Sequence, residues 1–401
     1  MNLGNPKKFK ALVNQATQVA ENVFRPISRK YDKAEHAYPK ELDMLASVLD
    51  GMNAGSADGG AGAATAGKRH AKNDGTVKNG SNMSTVLGAI ELCYGDVGLL
   101  LSIPRQGLGN SAIAAVSNDE QLERFKDCWA AMAITEPGFG SDSAAVRTTA
   151  VKDGDFYVLN GEKIYVTAGD RASHVVVWAT LDKSLGRAAI KSFVVEKGTP
   201  GMEVVRLEKK LGIKASDTAA ITFTNCRVPA ANLLGNPEID VKKGFAGVME
   251  TFDNTRPLVA AMAVGVAKAS LLKTKEVLNA RLQTPYGAPL NLLPHFEAEI
   301  YKMEAEWEAA RLLTIKAAWM ADNKMPNSKE ASIAKAKAGR VANHITLKCV
   351  EICTALGYGE TEMLEKWARD SKILDIFEGT QQIQLLIIAR RLLNKTSAEL
   401  K

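Results

Sequence analysis

A glutamate close to the end of the chain has the neighbours that a general base needs. Glu378 follows Ile376 and Phe377 and precedes Gly379, which places it at a break between two helical stretches. A carboxylate among apolar groups has a raised pKa, and this suits it to accept a proton. Thr380 is placed to cap the last helix, whose amides would then face an anionic or electron-rich ring. The alternative from the local sequence is a turn glutamate that faces solvent.

Residues 135–142 form a second candidate site, with the sequence Thr-Glu-Pro-Gly-Phe-Gly-Ser-Asp directly after a strand-like run at 130–134. Its glycines, among them Gly140, and its proline allow a sharp turn with exposed amide groups. Thr135 and Ser141 add hydroxyls that can donate to carbonyl or phosphate oxygens. A plain turn at the end of a strand is the alternative.

A third candidate is the strand-like sequence Lys-Ile-Tyr-Val-Thr-Ala-Gly at residues 163–169. Tyr165 lies two residues before the hydroxyl of Thr167, and such a pair can cover a flat ring and bond to its edge. The alternative is a cross-strand aromatic pair in a β core.

The hydrophobic pattern along the chain predicts three regions. Residues 1–129 are helical, and they are interrupted at 51–82 by a Gly-, Ala-, Ser- and Asn-rich stretch that is typical of a mobile loop. Residues 130–237 alternate with a period of two and predict an antiparallel β-barrel domain, with hairpin turns at Asp153-Gly154 and Asn160-Gly161. Residues 238–401 are helical again and predict a four-helix bundle. The fold class is therefore α+β, with several domains.

Composition limits the possible classes of protein. With 401 residues, 46% of them hydrophobic and 24% charged, the chain is expected to form a soluble protein of two or three domains. The sequence contains no run of eighteen apolar residues, so no membrane span is predicted. The start of the chain has the pattern of a folded amphipathic helix rather than that of a secretion signal. The net charge of +6 comes without a basic patch interleaved with aromatics, so nucleic-acid binding is not expected. The scattered cysteines and histidines predict buried thiols and no metal site.

Taken together, the three candidate sites resemble the acyl-CoA dehydrogenase family. The resemblance covers nearly the whole chain, including the helical, β and helical order, although the N-terminal third matches weakly. Three more segments carry it, each written here as it stands in the sequence: Leu-Gly-Ile-Lys-Ala-Ser-Asp-Thr at 211–218, Arg-Val-Pro followed by Asn-Leu-Leu-Gly at 227–235, and Phe-Asp-Asn-Thr-Arg at 252–256.

The resemblance implies a flavin enzyme that desaturates a fatty acyl-CoA thioester to the trans-2-enoyl-CoA. Glu378 would take the α-proton while a hydride leaves the β-carbon for the flavin. The resemblance assigns the other site residues to two groups. Those that would bind FAD are Met132, Ile134, Thr135, Gly140, Ser141, Tyr165, Thr167, Arg281, Thr380 and Gln382. Those that would bind the substrate are Ser141, Asp253, Arg256 and Gly379.

Two segments depart from the family pattern. In this family a neighbouring subunit completes each FAD site with an Arg-x-x-Phe-Gly segment and a Gln-x-x-Gly-Gly segment. Here the first begins at Arg281 and reads two residues longer, and the second begins at Glu351 and has Thr354 and Ala355 in place of the glycines. A carboxylate repels a pyrophosphate, and Cβ atoms obstruct close backbone approach. These departures favour a heterotetramer with a related chain, and a homotetramer with shifted contacts is the rival hypothesis.

Several functional alternatives stay open at this point. An acyl-CoA oxidase-like flavoenzyme would share the base and the flavin site, and a non-catalytic assembly subunit would share the fold. The dehydrogenase interpretation implies an electron-transferring flavoprotein as the electron acceptor. The expected compartment is the cytoplasm of a bacterium or the mitochondrial matrix of a eukaryote, and the length of the acyl group cannot be read from the sequence.

Overall fold

The computed structural model describes residues 6–47, 80–105, 107–239, 246–279, 282, 289–396 and 399–400. For residues 246–254 and residue 290 it describes the backbone alone. The predicted loop at 51–82 therefore lies largely outside the described residues, and its last two positions, Ser81 and Asn82, already belong to a helix.

The N-terminal region is helical, as predicted. Its helices are α1 (Lys10–Val19), α2 (Arg25–Lys33), α3 (Ser81–Gly95), α4 (Val97–Leu100), α5 (Leu108–Val116) and α6 (Asp119–Arg124). A π-helical turn, Ala20–Phe24, joins α1 to α2, and residues 41–47 are also helical. The buried face of α1 and this turn repeats at Ala16, Ala20 and Phe24, the four-residue spacing of an amphipathic helix.

The middle region is a curled seven-stranded sheet. Its strands are β1 (Ala130–Ala133), β2 (Thr149–Asp153), β3 (Phe156–Thr167), β4 (His174–Thr180), β5 (Ile190–Glu196), β6 (Met202–Leu207) and β7 (Thr218–Pro229). The strands follow the order β1-β4-β2-β3-β7-β6, and β5 pairs with β4. Most pairings are antiparallel, but β4 pairs in parallel with β1 and with the start of β2, so the sheet is mixed rather than wholly antiparallel.

One of the two predicted hairpin turns is present and the other is wrong. Asp153-Gly154 joins the antiparallel strands β2 and β3, and Gly154 has the positive φ of 58° that such a turn requires. Asn160-Gly161 lies inside β3, where the register against β7 shifts between Leu159 and Gly161. The same dipeptide chemistry serves a β-bulge as well as a turn, because both need a residue with unusual backbone angles.

The C-terminal region is built from long helices, as predicted. They are α7 (Ala246–Leu278), α8 (His295–Asp322), α9 (Ser328–Tyr358), α10 (Leu364–Ser371) and α11 (Gln381–Leu393). Helix α3 from the N-terminal region packs against α7 and α8 and shares their apolar core. The carboxylate of Asp322, at the end of α8, accepts hydrogen bonds from the backbone N–H groups of Gly80, Asn82 and Met83 at the start of α3. One core therefore serves helices that are distant in sequence.

A buried charge network fixes the sheet to the helices. The ammonium of Lys366, on α10, donates to Asp96 at 2.8 Å and to Asp370 at 2.5 Å. The second oxygen of Asp370 accepts from the backbone N–H of Ile213, in the loop between β6 and β7, at 2.5 Å. Charged groups that are buried this deeply need partners, and here the partners come from three separate parts of the chain. The loop before β7 is thereby held against α10, next to the turn that carries Glu378.

Two predictions concern the interior. All five cysteines are buried and form no disulfide, as expected. The second prediction is that no segment spans a membrane. One part of α7, Thr255–Leu278, is long and apolar enough to cross a membrane, and most of its apolar window is buried within the fold.

Candidate active site

Glu378 lies in a tight turn between two helical segments. The 3-10 turn Lys372–Asp375 precedes it, and α11 begins three residues after it. Both Glu378 and Gly379 have positive φ angles, 54° and 91°. Thr380 caps α11, since its hydroxyl accepts a hydrogen bond from the backbone N–H of Ile383 at 3.4 Å. The predicted helix break and the predicted cap are both present.

The carboxyl group of Glu378 faces the start of the apolar part of α7. The hydroxyl of Thr255 donates to its Oε2 at 3.0 Å. Burial raises the pKa of Glu378 above its ordinary value, and the hydrogen bond from Thr255 and the positive charges of Arg256 and Lys335 counteract only part of that rise. The group is therefore a stronger base than an ordinary surface glutamate once it is ionised. A non-glycine residue with positive φ is strained, and such strain is found where a side chain must be aimed.

A buried lysine lies beneath this turn. Lys335 on α9 is fully buried, and its ammonium donates to the backbone carbonyl of Gly379 at 2.6 Å. Burial lowers the pKa of Lys335 to about 8, although Asp375 and Glu378 oppose that fall. The lysine can come this close because a Cβ at Gly339, one turn further along α9, would lie only 2.8 Å from the carbonyl oxygen of Leu374. Glycine there allows the helix to approach the turn.

A buried glutamine anchors the turn from its other side. The side-chain Nε2 of Gln384, on α11, donates to the carbonyls of Glu378 at 3.1 Å and Gly379 at 3.2 Å. A Cβ at Gly379 would lie 2.4 Å from that same Nε2. Position 379 therefore needs glycine for its backbone angle and for space.

The two candidate segments of the sheet lie side by side. The backbone N–H of Ile164 donates to the carbonyl of Thr135 at 2.9 Å, which joins β3 to the loop after β1. Beneath them the buried ammonium of Lys163 donates to the carboxylate of Glu136 at 2.8 Å and to the carbonyl of Ile134 at 3.1 Å. The structure thus brings residues 132–141 and 163–167 together, as the cofactor assignment requires.

The side chains of these two segments differ in exposure. Tyr165 has a positive φ of 57° and is 63% exposed, so its ring stands out from the sheet instead of joining the β core. Met132 and Thr167 are half-buried, whereas Ile134 is buried. The alternative of a core aromatic pair is therefore wrong for Tyr165.

The loop after β1 presents open glycines. An added Cβ at Gly140 or Gly138 would meet nothing within 4 Å, and Ser141 is exposed. Neither glycine has a positive φ. The folding of the chain thus does not require glycine at these places, and a side chain there would fill the space in front of the loop.

Comparison with known proteins matches both regions just described. Family models of the acyl-CoA dehydrogenase middle domain and C-terminal domain match residues 131–226 and 242–393, more than half of the chain. The acryloyl-CoA reductase (NADH) of Anaerotignum propionicum is 33% identical over 98% of this chain and 97% of its own length. The chain belongs to the acyl-CoA dehydrogenase family.

Two further members of the acyl-CoA dehydrogenase family are similar to this chain. The mitochondrial short-chain specific acyl-CoA dehydrogenase of Mus musculus is 42% identical over 65% of this chain, and the match spans 62% of the mouse protein. The structure of butyryl-CoA dehydrogenase from Megasphaera elsdenii superimposes with a TM-score of 0.84 at 30% identity, covering 98% of this chain and 100% of the other. The predicted family and fold are therefore confirmed.

The structure tests none of the binding roles assigned through the family, and for some of these residues it does not describe the side chain. Arg281 lies outside the described residues, and Asp253 lies on α7 without a described side chain. Gln382 is exposed on α11, whereas Arg256 is buried beside Glu378. Their binding roles stay predictions.

The segment that departs from the acyl-CoA dehydrogenase pattern has an unusual backbone. Thr354, at the first position of the expected glycine pair, has φ 53° and ψ −127° within α9. These are angles that glycine adopts freely and that a β-branched residue adopts only under strain. Glu351, in place of the expected glutamine, is exposed and pairs with Lys348 at 2.8 Å. The backbone at position 354 therefore has angles suited to glycine although a threonine occupies it.

Three residues at the site were missed by sequence reasoning: Lys335, Thr255 and Gln384. The sequence did contain a signal for Lys335, because this residue lies among alanines on a helix face that is expected to be buried. Lysines are rarely buried unless they are paired, so a lysine at such a position indicates a buried partner. Thr255 lies inside a matched family segment, but nothing in its sequence context predicts its bond to Glu378. Gln384 gave no signal, since a glutamine near the start of a helix is ordinary.

Proposed function

We propose that this chain is a FAD-dependent acyl-CoA dehydrogenase that converts a fatty acyl-CoA to the trans-2-enoyl-CoA, with Glu378 as the catalytic base. The observation that carries the proposal is the setting of Glu378: a carboxyl with a raised pKa, aimed by a strained turn and hydrogen-bonded to Thr255. Family membership supplies the reaction class, and this geometry supplies the residue.

The residues present fit a flavin. Tyr165 offers an exposed ring beside the half-buried hydroxyl of Thr167, and the open loop around Gly140 allows another molecule to approach the backbone closely. Met132, Ile134, Thr135 and Ser141 would line the same side, and Thr380 and Gln382 would contact the nucleotide from α11. When bound, FAD supplies the acceptor for the hydride that leaves the β-carbon.

The chain itself contributes proton transfer and charge stabilisation. The α-proton of a thioester is too weakly acidic for a free carboxylate, so the developing negative charge on the thioester oxygen must be stabilised. The backbone N–H of Glu378 is the proposed donor, and such a donor contributes about 3 kcal/mol in other enzymes. Gly379, Ser141, Asp253 and Arg256 are the proposed contacts for the rest of the acyl-CoA.

The substrate and the electron acceptor are finer parts of the proposal. The similar proteins are named for short-chain acyl-CoA and butyryl-CoA, so butyryl-CoA is the first substrate to test. The similarity to an acryloyl-CoA reductase over nearly the whole chain makes reduction of acryloyl-CoA the second reaction to assay, since one site serves both directions of such a redox step. An electron-transferring flavoprotein is the proposed acceptor, in the bacterial cytoplasm or the mitochondrial matrix.

The proposed assembly is a heterotetramer with a related chain. The exposed Glu351 and the strained Thr354 support it, because a neighbour's cofactor phosphates would meet a carboxylate and two extra Cβ atoms. Expression of this chain alone followed by a count of flavins per subunit is the test. Full loading of a homotetramer would contradict the proposal.

Anaerobic bleaching tests the main proposal. The flavin absorbance of the purified protein, with and without a co-expressed related chain, should fall on addition of an acyl-CoA of suitable length. Slow reoxidation in air would favour a dehydrogenase over an oxidase. A flavin-loaded protein that no acyl-CoA or enoyl-CoA alters would exclude the proposed activity.

A further inference from the structure

The turn that carries Glu378 is held by two side chains from different helices. Lys335 on α9 donates to the carbonyl of Gly379 at 2.6 Å, and Gln384 on α11 donates to the carbonyls of Glu378 and Gly379. Both side chains are fully buried. Their hydrogen bonds fix two consecutive peptide groups, and so fix the direction in which the carboxyl of Glu378 leaves the backbone.

Only one of these two anchors carries a charge. Three charged groups lie close enough to the ammonium of Lys335 to act on its pKa: Asp375 from the 3-10 turn, Glu378, and Arg256 from α7. The groups that face the carboxyl of Glu378 are Arg256, Lys335 and the hydroxyl of Thr255. A buried lysine that donates to a neutral carbonyl could be replaced by a neutral donor, so its charge needs another explanation. Its attraction to the carboxylate of Glu378 provides one.

The geometry points to Lys335 as a positioning residue for the proposed base: it holds the Glu378–Gly379 turn and, through its charge, favours the ionised form of Glu378. This inference rests on the proposed function for its catalytic meaning. Its physical content, a charge coupling between the side chains of Lys335 and Glu378, can be measured without turnover.

The coupling explains how the half-buried carboxyl of Glu378, whose pKa is raised by desolvation, remains usable as a base. Burial alone favours the protonated acid, and a base that stays protonated accepts no proton. A cation nearby limits the rise in pKa without forming the tight ion pair that would make the carboxylate inert. The ammonium of Lys335 meets this condition, because it donates its hydrogen bond at 2.6 Å to the Gly379 carbonyl, next to the carboxylate of Glu378 in the chain.

The test compares three variants of the full chain with FAD present. Lys335→Gln removes the charge and keeps a donor, Lys335→Met removes both, and Lys337→Met is the matched control. Lys337 lies two residues along the same helix and pairs with Glu306 on α8, so its loss changes the net charge equally. The pKa of Glu378 is read from its carboxyl infrared band, assigned by subtracting the spectrum of Glu378→Gln.

The expected result separates charge from position. Both Lys335 variants should raise the pKa of Glu378 by about one unit or more, and Lys337→Met should leave it unchanged. Above the raised pKa, Lys335→Gln should keep most of the kcat, while Lys335→Met should lower it because the turn is less well held. If both Lys335 variants leave the pKa of Glu378 unchanged and alter only the melting temperature, Lys335 is merely structural and the inference is overturned.

A reciprocal measurement covers the case in which the Lys335 variants do not fold. Charge coupling acts equally in both directions, so Glu378→Gln must lower the pKa of Lys335. In lysine-labelled protein, nuclear magnetic resonance should show buried lysine signals that titrate near pH 8, from Lys335 and Lys163. One of the two signals should move in Glu378→Gln, and two unmoved signals would overturn the inference. Wild-type turnover with acyl-CoA, measured separately, tests the proposed function itself.

Discussion

Two glutamates in this chain, the buried Glu136 and the half-buried Glu378, lie near buried lysines, yet their surroundings shift their pKa values in opposite directions. Glu136, under the sheet, accepts hydrogen bonds from the backbone N–H groups of Arg147 and Thr148, the Thr148 hydroxyl and the Lys163 ammonium, all within 2.9 Å. Burial acts to raise the pKa of Glu136, but Lys163 and the hydrogen bonds outweigh it, so the pKa lies below its ordinary value.

Glu378 has a weaker set of partners. Thr255 donates to it at 3.0 Å, while the ammonium of Lys335 is turned to a backbone carbonyl, so burial prevails and the pKa of Glu378 rises. Burial alone therefore does not make a carboxyl group a base. A carboxylate saturated with donors is part of the scaffold, and one left short of donors keeps lone pairs for a proton.

The largest expected effect comes from the base itself. Glu378→Gln should lower the rate of desaturation by about 10²–10⁴-fold, because general-base catalysis contributes on that scale. Stopped-flow bleaching with butyryl-CoA measures the rate, and the visible spectrum checks that FAD is retained. Wild-type turnover in this variant would show that Glu378 is not the base, and the proposed contrast with Glu136 would then be wrong.

The scaffold carboxylate should affect stability instead. Glu136→Gln leaves Lys163 buried without its counter-ion, which should reduce the free energy of unfolding by about 3–5 kcal/mol in urea denaturation. Glu123→Gln, which removes an exposed ion pair with Lys126, is the control and should change little. If Glu136→Gln were as stable as this control, the two glutamates would not differ in the way described.

Stability at alkaline pH tests the two buried lysines. Burial lowers the pKa of Lys163 and of Lys335 to about 8 from an ordinary value of 10.5. Between these values the unfolded chain binds more protons than the folded chain, so stability rises with pH by up to about 3 kcal/mol for each lysine. Lys335→Met should remove part of this rise, and denaturation at pH 8 and pH 10 measures it. The stability of the Lys337→Met variant should rise with pH as much as that of the wild type.

A smaller effect is expected from the turn. Gly379→Ala brings a Cβ to within 2.4 Å of Gln384 Nε2 and imposes a strained φ, so the turn must move. A displaced base should lower kcat by about 10²-fold, since orientation effects reach that size. Gly88→Ala on α3 is the matched control, because an added Cβ there meets nothing within 4 Å. A Gly379→Ala variant with wild-type kcat would show that the turn does not aim Glu378.

The sequence predicted more of the fold than of the arrangement around the site. The last helix and its Thr380 cap follow from local periodicity and a hydroxyl at the right position, and both are confirmed, with the helix at Gln381–Leu393. Asn160-Gly161 was misassigned because turns and bulges use the same residues, and only pairing with β7 decides between them. The parallel pairing of β1 with β4 was also missed, since alternation along a strand carries no direction.

The sequence alone determined the order of the three regions, the family and the glutamate that stands at a helix break, because these depend on residues close together along the chain. Which groups surround that glutamate depends instead on how the helices pack. Lys335, Thr255 and Gln384 come from three helices, and they meet only because α9 passes close to the turn at Gly339. The strength of a base depends on burial, charge and hydrogen bonds through space, and no local pattern contains that information.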